Sequence, residues 1–468
     1  MAKRYLLFIL LLLAARHTKA QQYGLFNTRT LFDAFENPAQ KAFVLDSSRQ
    51  YASNFLLPNF GLNAANKGDA NYALRRLING DGIYNTSDIP IGENKRNKLM
   101  ESTNIYLATF RIFRSYKYHK ELGFSWQMRS DVYGNYSNET LVAADNYNRF
   151  GSSATGLFNG DAYGQSYHQF SLTYRENYTK RLAFGAKLSL LSGITYNKIN
   201  ITESSLTVDP ILEQVRIGIA AHYKSNFIDE DELNFKTLLP DFKNPGLSVS
   251  MGTTYNSKSG FFIMGNIKDL GFIKWNKESH SFYINDFMTL DRLSTDTEET
   301  IKSKVYDLFT NSDEEKSFYT PTNAKADFLI SRRYDFYTPS FIISKNLFKQ
   351  GGDVVLVNNF KYNEFSISLS PTYNTYGFGM LGTQGMYQTP NFEFFLGTDN
   401  LLKSTAIAKE SSLTKTGYVG GSFYMGLGIK FGYTVEHPQN SSYMPGVGDD
   451  ADNSPSFFGR IFNVFKKK

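Results

Sequence analysis

Over residues 422–436, SFYMGLGIKFGYTVE, bulky and small side chains alternate. Phe423, Met425, Leu427, Ile429, Phe431 and Tyr433 share one parity; Tyr424, Gly426, Gly428, Lys430 and Gly432 share the other. A strand sends successive side chains to opposite faces, so the segment predicts a strand with one greasy side and one nearly bare. A soluble sandwich would carry long polar side chains on its second face. A row of glycines suits a crowded or hydrated interior instead, with the greasy row turned outward to lipid. The same period of two recurs at 182–196, where Leu182, Phe184, Ala186, Leu188, Leu190 and Ile194 oppose Gly185, Lys187, Ser189 and Gly193. It recurs again at 170–175 and 365–370, where Phe170, Leu172 and Tyr174 oppose Ser171, Thr173 and Arg175, and Phe365, Ile367 and Leu369 oppose serines.

Collected along the chain, such runs predict strands near 50–60, 103–114, 120–131, 164–176, 181–203, 245–256, 260–275, 322–333, 338–347, 353–362, 365–376, 378–388, 392–401 and 417–434. These are fourteen, an even number, as a closed bacterial barrel with both chain ends on the periplasmic side requires. A further run, 215–227, is placed as the return arm of a hairpin that extends the fifth strand beyond the membrane. Short connections (115–121, 176–180, 256–260, 334–338, 363–364, 389–391) alternate with long ones (61–102, 132–163, 204–244, 276–321, 402–416). The exceptions are 348–353 and the turn at Gly377, short on the long side. Eleven residues from Phe423 to Tyr433, tilted by about 40°, rise about 28 Å, close to the ~25 Å apolar band of such barrels. The expected fold is all-β: a closed antiparallel transmembrane β-barrel of about fourteen strands. A helix is expected in the outer loop at 294–309, with Thr295 or Asp296 as cap and Ile301, Val305, Leu308 and Phe309 at helical spacing.

Composition narrows the picture. Residues 1–20 read as a cleaved signal peptide: Lys3 and Arg4, an apolar centre at 5–15, and Thr18-Lys19-Ala20 before Gln21. Removing it leaves 46 basic residues against 44 acidic ones, so a formal charge of +6 becomes +2 and gives no reason to expect nucleic acid as a partner. With no cysteine, disulfides and thiolate chemistry are excluded. The 40 Phe and 31 Tyr suit strands and lipid interfaces. No two of the six histidines lie at metal-ligand spacing. The G-x-G-x-x-G at 377–382 is followed by no helix that could present its N-terminus to a phosphate, so it reads as a turn between strands. The acidic run 449–453 lacks the glycine and distal glutamate of a calcium loop. No catalytic set, metal site or cofactor is expected.

Ahead of the first strand lies LFDAFENPAQKAFVLD (31–46), whose Asn37-Pro38-Ala39 resembles the motif in the N-terminal hatch of the long-chain fatty acid transporter family of outer-membrane barrels. The segments GNIKDLGFIKW (265–275) and GTDNLL (397–402) are similar to those of an uncharacterised Bacteroidota branch of that superfamily, related to PorV of type IX secretion. The resemblance implies a hatch over 21–49 that fills the lumen of a barrel over 50–436. It also implies a hydrophobic ligand site near the outer mouth and a kinked strand that opens a lateral exit. Gly123 on the third strand is a candidate bend. Arg175, Lys187 and Lys430 are expected to face a hydrated lumen. Tyr424, Gly426, Ile429 and Phe431 look like the signal read by the barrel-assembly machinery. Beyond it, 437–468 reads as a linker and a short amphipathic helix with Phe458, Ile461, Phe462 and Phe465 as its contact face. That helix is expected against the barrel's periplasmic mouth, on membrane lipid, or on a periplasmic partner. Two functions follow as expectations: binding or transport of small hydrophobic molecules, or scaffolding of a surface secretion or motility assembly.

Overall fold

A computed structural model describes residues 22–43, 49–69, 86–114 except 94, 120–145, 149–150, 153–227 except 210 and 213, 235–291, 303–304, 307, 313–408, 418–434 and Phe458. Within them the alternating runs join edge to edge into a ring. Barrel strand 1 is Arg49–Ser53 continued by Asn59–Lys67. Strands 2 to 7 are Arg96–Arg114, Lys120–Ser137, Gly160–Asn177, Leu182–Asp209, Pro245–Asn256 and Phe261–Trp275. Strand 8 is Phe318–Pro321 continued by Lys325–Arg332. Strands 9 to 14 are Tyr337–Asn346, Gly352–Tyr362, Phe365–Asn374, Phe378–Gln388, Phe392–Thr398 and Tyr418–Thr434. Neighbours pair antiparallel in chain order, and strand 14 closes the ring on both halves of strand 1, with Arg49 opposite Thr434 and Phe60 opposite Met425. The fold is a closed fourteen-stranded barrel. Among the described residues no helix is long and apolar enough to cross a membrane.

The two parities separate as the pattern demands. On strand 5, Leu188 and Leu190 are each 56% exposed while Lys187 and Ser189 are 1% exposed. On strand 14, Phe423 faces out and Tyr424 and Lys430 face in. One residue departs from its expected side. Tyr167 opposes Gly193 and Ser166 opposes Thr195, so Ile194 is the extra residue of a bulge and is buried, not on the greasy outer row. A second bulge shapes the interior. The register of strand 7 shifts between Ile267 and Leu270, and Asp269 takes φ +54°, so Lys268 and Asp269 both point inward. Gly377 does sit in a turn between strands 11 and 12, with φ +94°.

The wall is of unequal height. Strands 2 to 5 have 19, 18, 18 and 28 residues, strands 9 to 13 only 10, 11, 10, 11 and 7. The two short outer turns lie on the low side and lean across the mouth: the Tyr376 ring packs, tilted, 5.1 Å from that of Tyr133, and Lys349 Nζ lies 3.3 Å above the Tyr163 ring. Strand 5 runs on outward as expected, pairing with a return arm at Gln214–Ser225. That arm pairs in turn with a strand inside the long connection 276–321, His280–Asp291, which the alternating pattern does not predict. Helices Asn138–Asp145 and Leu401–Ala408 lie on other long connections. The helix expected at 294–309 falls mostly outside the described residues, with Ser303, Lys304 and Asp307 helical.

A charge on the outward row tests the assignment of faces. Leu188→Arg should destabilise the barrel by about 2–4 kcal/mol in urea unfolding from bilayers, the cost of a cation near the midplane. An unchanged midpoint would mean that this row does not meet hydrocarbon.

Candidate functional site

The lumen is filled by residues 22–43. Thr30 caps a short helix, Leu31–Glu36, by accepting from the Asp33 N–H at 3.1 Å. The helix buries Leu31, Phe32 and Phe35 against Tyr106, Phe395 and Phe113 of the wall. Behind it, Asn37 donates to Asp33 Oδ1 (2.7 Å) and accepts from Asn266 Nδ2 (3.0 Å). The Pro38 carbonyl lies against Gly185, where an added Cβ would come within 2.1 Å of it. Ala39 packs on Gly252, and its carbonyl accepts from Arg175 Nε at 2.8 Å. Bare lumen positions are thus the spaces into which the hatch fits.

The hatch is latched by charge. Glu36 accepts from Arg129 (2.6 Å), Lys268 (3.1 Å), Tyr106 OH (2.8 Å) and Asn104 (2.9 Å). Arg129 also pairs with Asp269 (2.5 Å), Lys187 with Asp269 (3.0 Å), and Lys268 with Asp327 (3.3 Å). Lower down, Arg111 pairs with Glu121 (2.8 Å) and donates to the Ala34 carbonyl. Burial pushes the Asp33 carboxyl up to about 6, against hydrogen bonds from Asn37, the Arg29 N–H, Gln40 and the Thr28 N–H. Burial alone would also raise Glu36, but Arg129, Lys268 and Lys187 hold it well below the ordinary carboxylate range. The signs are opposite: Glu36 stabilises docking at neutral pH and loses its share only in strong acid, whereas the contribution of Asp33 is full below about pH 4 and lost as pH rises through about 6.

Beside the latch the wall is interrupted. Ser53 opposes Ile429 and Phe60 opposes Met425, so six residues of strand 1 face three of strand 14, and the surplus loops out. Phe55 and Leu56 adopt φ +49° and +62°, and Phe55, Leu56 and Leu57 are 51%, 71% and 54% exposed on the outside. Asn54 seals the gap: its side chain donates to the carbonyls of Leu57 (2.9 Å) and Tyr106 (3.2 Å) and accepts from Thr109 N–H (2.8 Å). Asn59 Oδ1 accepts from Leu427 N–H at 3.0 Å. Tyr106 joins the two devices, its hydroxyl on Glu36 and its carbonyl on Asn54.

The family model that matches residues 43–399 is described as a family of unknown function (DUF5723). The chain belongs to that family. No curated protein matches its sequence. Among solved structures, this member of the family is similar to the toluene transporter TodX of P. putida (10% identity, 90% of this chain and 96% of that one, TM-score 0.39). It is similar also to a TodX mutant monoaromatic hydrocarbon channel (9%, 90% and 96%, 0.44) and to the Ralstonia pickettii toluene transporter TbuX (11%, 86% and 94%, 0.40).

Several expected positions sit differently from their assigned roles. Arg175, Lys187 and Lys430 face inward but are packed within protein rather than open to bulk solvent: each is at most 3% exposed, engaged by Ala39, by Asp269, and by the rings of Phe43 and Phe113 respectively. Gly123 is no bend. Strand 3 pairs along its whole length, and Gly123 makes room for Phe35 of the hatch. The interruption lies in strand 1 instead. Tyr424 points inward, donating to Gln384 (3.1 Å); Gly426 abuts Asn59 and Phe395; Ile429 and Phe431 lie on the outer row. Of the C-terminal face only Phe458 is described, its N–H on Glu176 (2.9 Å) and its ring beside Tyr174 and Phe184; Ile461, Phe462 and Phe465 lie outside the described residues. Glu36, Arg129, Lys268 and Asp269 are not among the site positions expected from the sequence. The one local signal was the adjacent charge pair Lys268-Asp269 inside an alternating run.

Glu36→Gln should loosen the hatch by about 3 kcal/mol, the low end for breaking a buried pair, because Arg129 keeps Asp269 and Lys268 keeps Asp327. Gly185→Val should do the same by excluding Pro38. Both variants should gain conductance in planar bilayers and expose residues 22–43 to protease, while keeping the gel shift on boiling. Unchanged conductance and protection in both would show that Glu36 is not a latch.

Proposed function

We infer that the protein is an outer-membrane barrel that takes up small hydrophobic molecules and releases them sideways, through the interrupted first strand, into the membrane. The interruption is the observation that carries this. Straight passage would have to break the ion pairs of Glu36, Arg129, Lys268 and Asp269 and bring an apolar molecule through them. The sideways route is apolar: Leu31, Phe32, Tyr106 and Phe395 form a buried cluster that also includes Ala52 of strand 1, and Phe55, Leu56 and Leu57 stand outside. Side chains of Asn54 and Asn59 take over backbone hydrogen bonds at the gap. Because Tyr106 touches both Glu36 and Asn54, a shift of the hatch helix is felt at the seal. The leader-like residues 1–20 and the barrel together support an outer-membrane location.

Replacing Phe55, Leu56 and Leu57 together by serine should slow uptake of a fluorescent fatty acid or toluene severalfold in cells lacking other uptake barrels, without altering the gel shift. Asn54→Ala should speed it. Uptake unchanged in both would refute the sideways route. Lipid extraction of the purified barrel distinguishes the alternative: a bound hydrophobe supports uptake. An empty lumen with a stoichiometric co-purifying protein supports a role in a surface secretion or motility assembly, as the likeness to the PorV branch suggests.

A further inference from the structure

Beyond the ring, the outer half of strand 5, its return arm and His280–Asp291 extend the barrel's sheet, with Ser153–Thr155 added at the other edge. One face of it is a groove of about 660 Å³, within the range of small-molecule sites. Its floor is Gly218, which lies between Ser205 and Phe287 on the neighbouring strands. A Cβ at Gly218 would sit 2.6 Å from Ser205 Oγ, so glycine keeps the floor low. Glu203, Ser205 and Thr207 follow at every second residue along one side, and Asn285 stands two residues from Phe287 on the other. Phe287 is 50% exposed, and the Arg216 guanidinium lies 3.5 Å over its ring centroid.

We propose that this groove binds a neutral saccharide. Hydroxyls and a carboxylate on strand 5, and an amide across the return arm on His280–Asp291, match a ligand that presents hydroxyl groups around its rim. The half-exposed Phe287 ring, with the Arg216 guanidinium over one face, offers an aromatic surface to the C–H face of a sugar ring. Other classes fit less well. The polar lining gives a hydrocarbon little to bury against. The single guanidinium is shared with Phe287 and balanced by Glu203 and Asp286, so phosphorylated or carboxylated ligands find no net positive charge. Only the expectation that the groove faces the cell exterior rests on the membrane orientation proposed above.

The full chain, purified in an amine-oxide detergent whose head group is not a sugar, would be titrated calorimetrically with maltohexaose, laminarihexaose, cellohexaose and chitohexaose. At least one should bind saturably, and Phe287→Ala and Glu203→Gln should each weaken it by about tenfold or more, equivalent to about 1.4 kcal/mol. Phe287 is exposed, so its loss leaves the barrel folded, which the gel shift on boiling checks. Saturable binding by none of the four would overturn the proposal. So would equal binding by both variants, or binding of polygalacturonate or an extended peptide in their place. Phe287→Ala should leave hydrophobe uptake unchanged; sugar binding without uptake would count against the transport route alone.

Discussion

Hydrocarbon offers no partner for a peptide N–H or C=O, and the architecture follows from that. Every strand needs two neighbours, so the sheet must close, and strand 14 meets strand 1 to close it. The constraint also explains how the first strand can be interrupted at all. Where the ladder fails between Ser53 and Asn59, amide side chains take over its bonds: Asn54 reaches four backbone groups of its own loop and of strand 2, and Asn59 reaches Leu427. A leucine at either place would leave backbone groups unpaired beside lipid. The break is therefore specified by side-chain chemistry.

Closure creates an interior that must itself be filled or wetted. Here a segment of the same chain fills much of it, and the glycines of the inner row are the imprint of that segment: Gly185 against Pro38, Gly252 against Ala39, Gly123 against Phe35. The charges inside are arranged so that the hatch completes them. Without Glu36, Lys268 keeps Asp327 while Arg129 and Lys187 share Asp269, so each cation retains a carboxylate but three positive charges face two negative ones, and Glu36 of the hatch supplies the third. Such an arrangement permits a plug that is held firmly and is still separable.

Much of the wall was legible in the sequence. Lipid on one side and a packed interior on the other impose a period of two, and the fourteen strands lie close to where that period places them. What escaped were departures from the period. The bulge at Ile194 and the paired inward charges Lys268 and Asp269 depend on register with neighbouring strands, a property of two segments at once. His280–Asp291 was hidden by its polar setting in a long connection. The apolar run Phe55-Leu56-Leu57 looks like more wall and is in fact the loop that leaves it. The hatch was marked by Asn37-Pro38-Ala39, but its anchor is the preceding Glu36, whose partners lie at Arg129 and Lys268, far along the chain.

Strand 13, Phe392–Thr398, has only 7 residues. At the usual tilt it rises about 18 Å, several ångströms short of the ~25 Å apolar band of such barrels. A bilayer meets such a mismatch by thinning, or the barrel tilts to share it. Either response disturbs acyl-chain packing two strands away from Phe55, Leu56 and Leu57. On the proposed sideways route, a greasy molecule would enter lipid already strained by the protein's own contour, where parting the chains costs less.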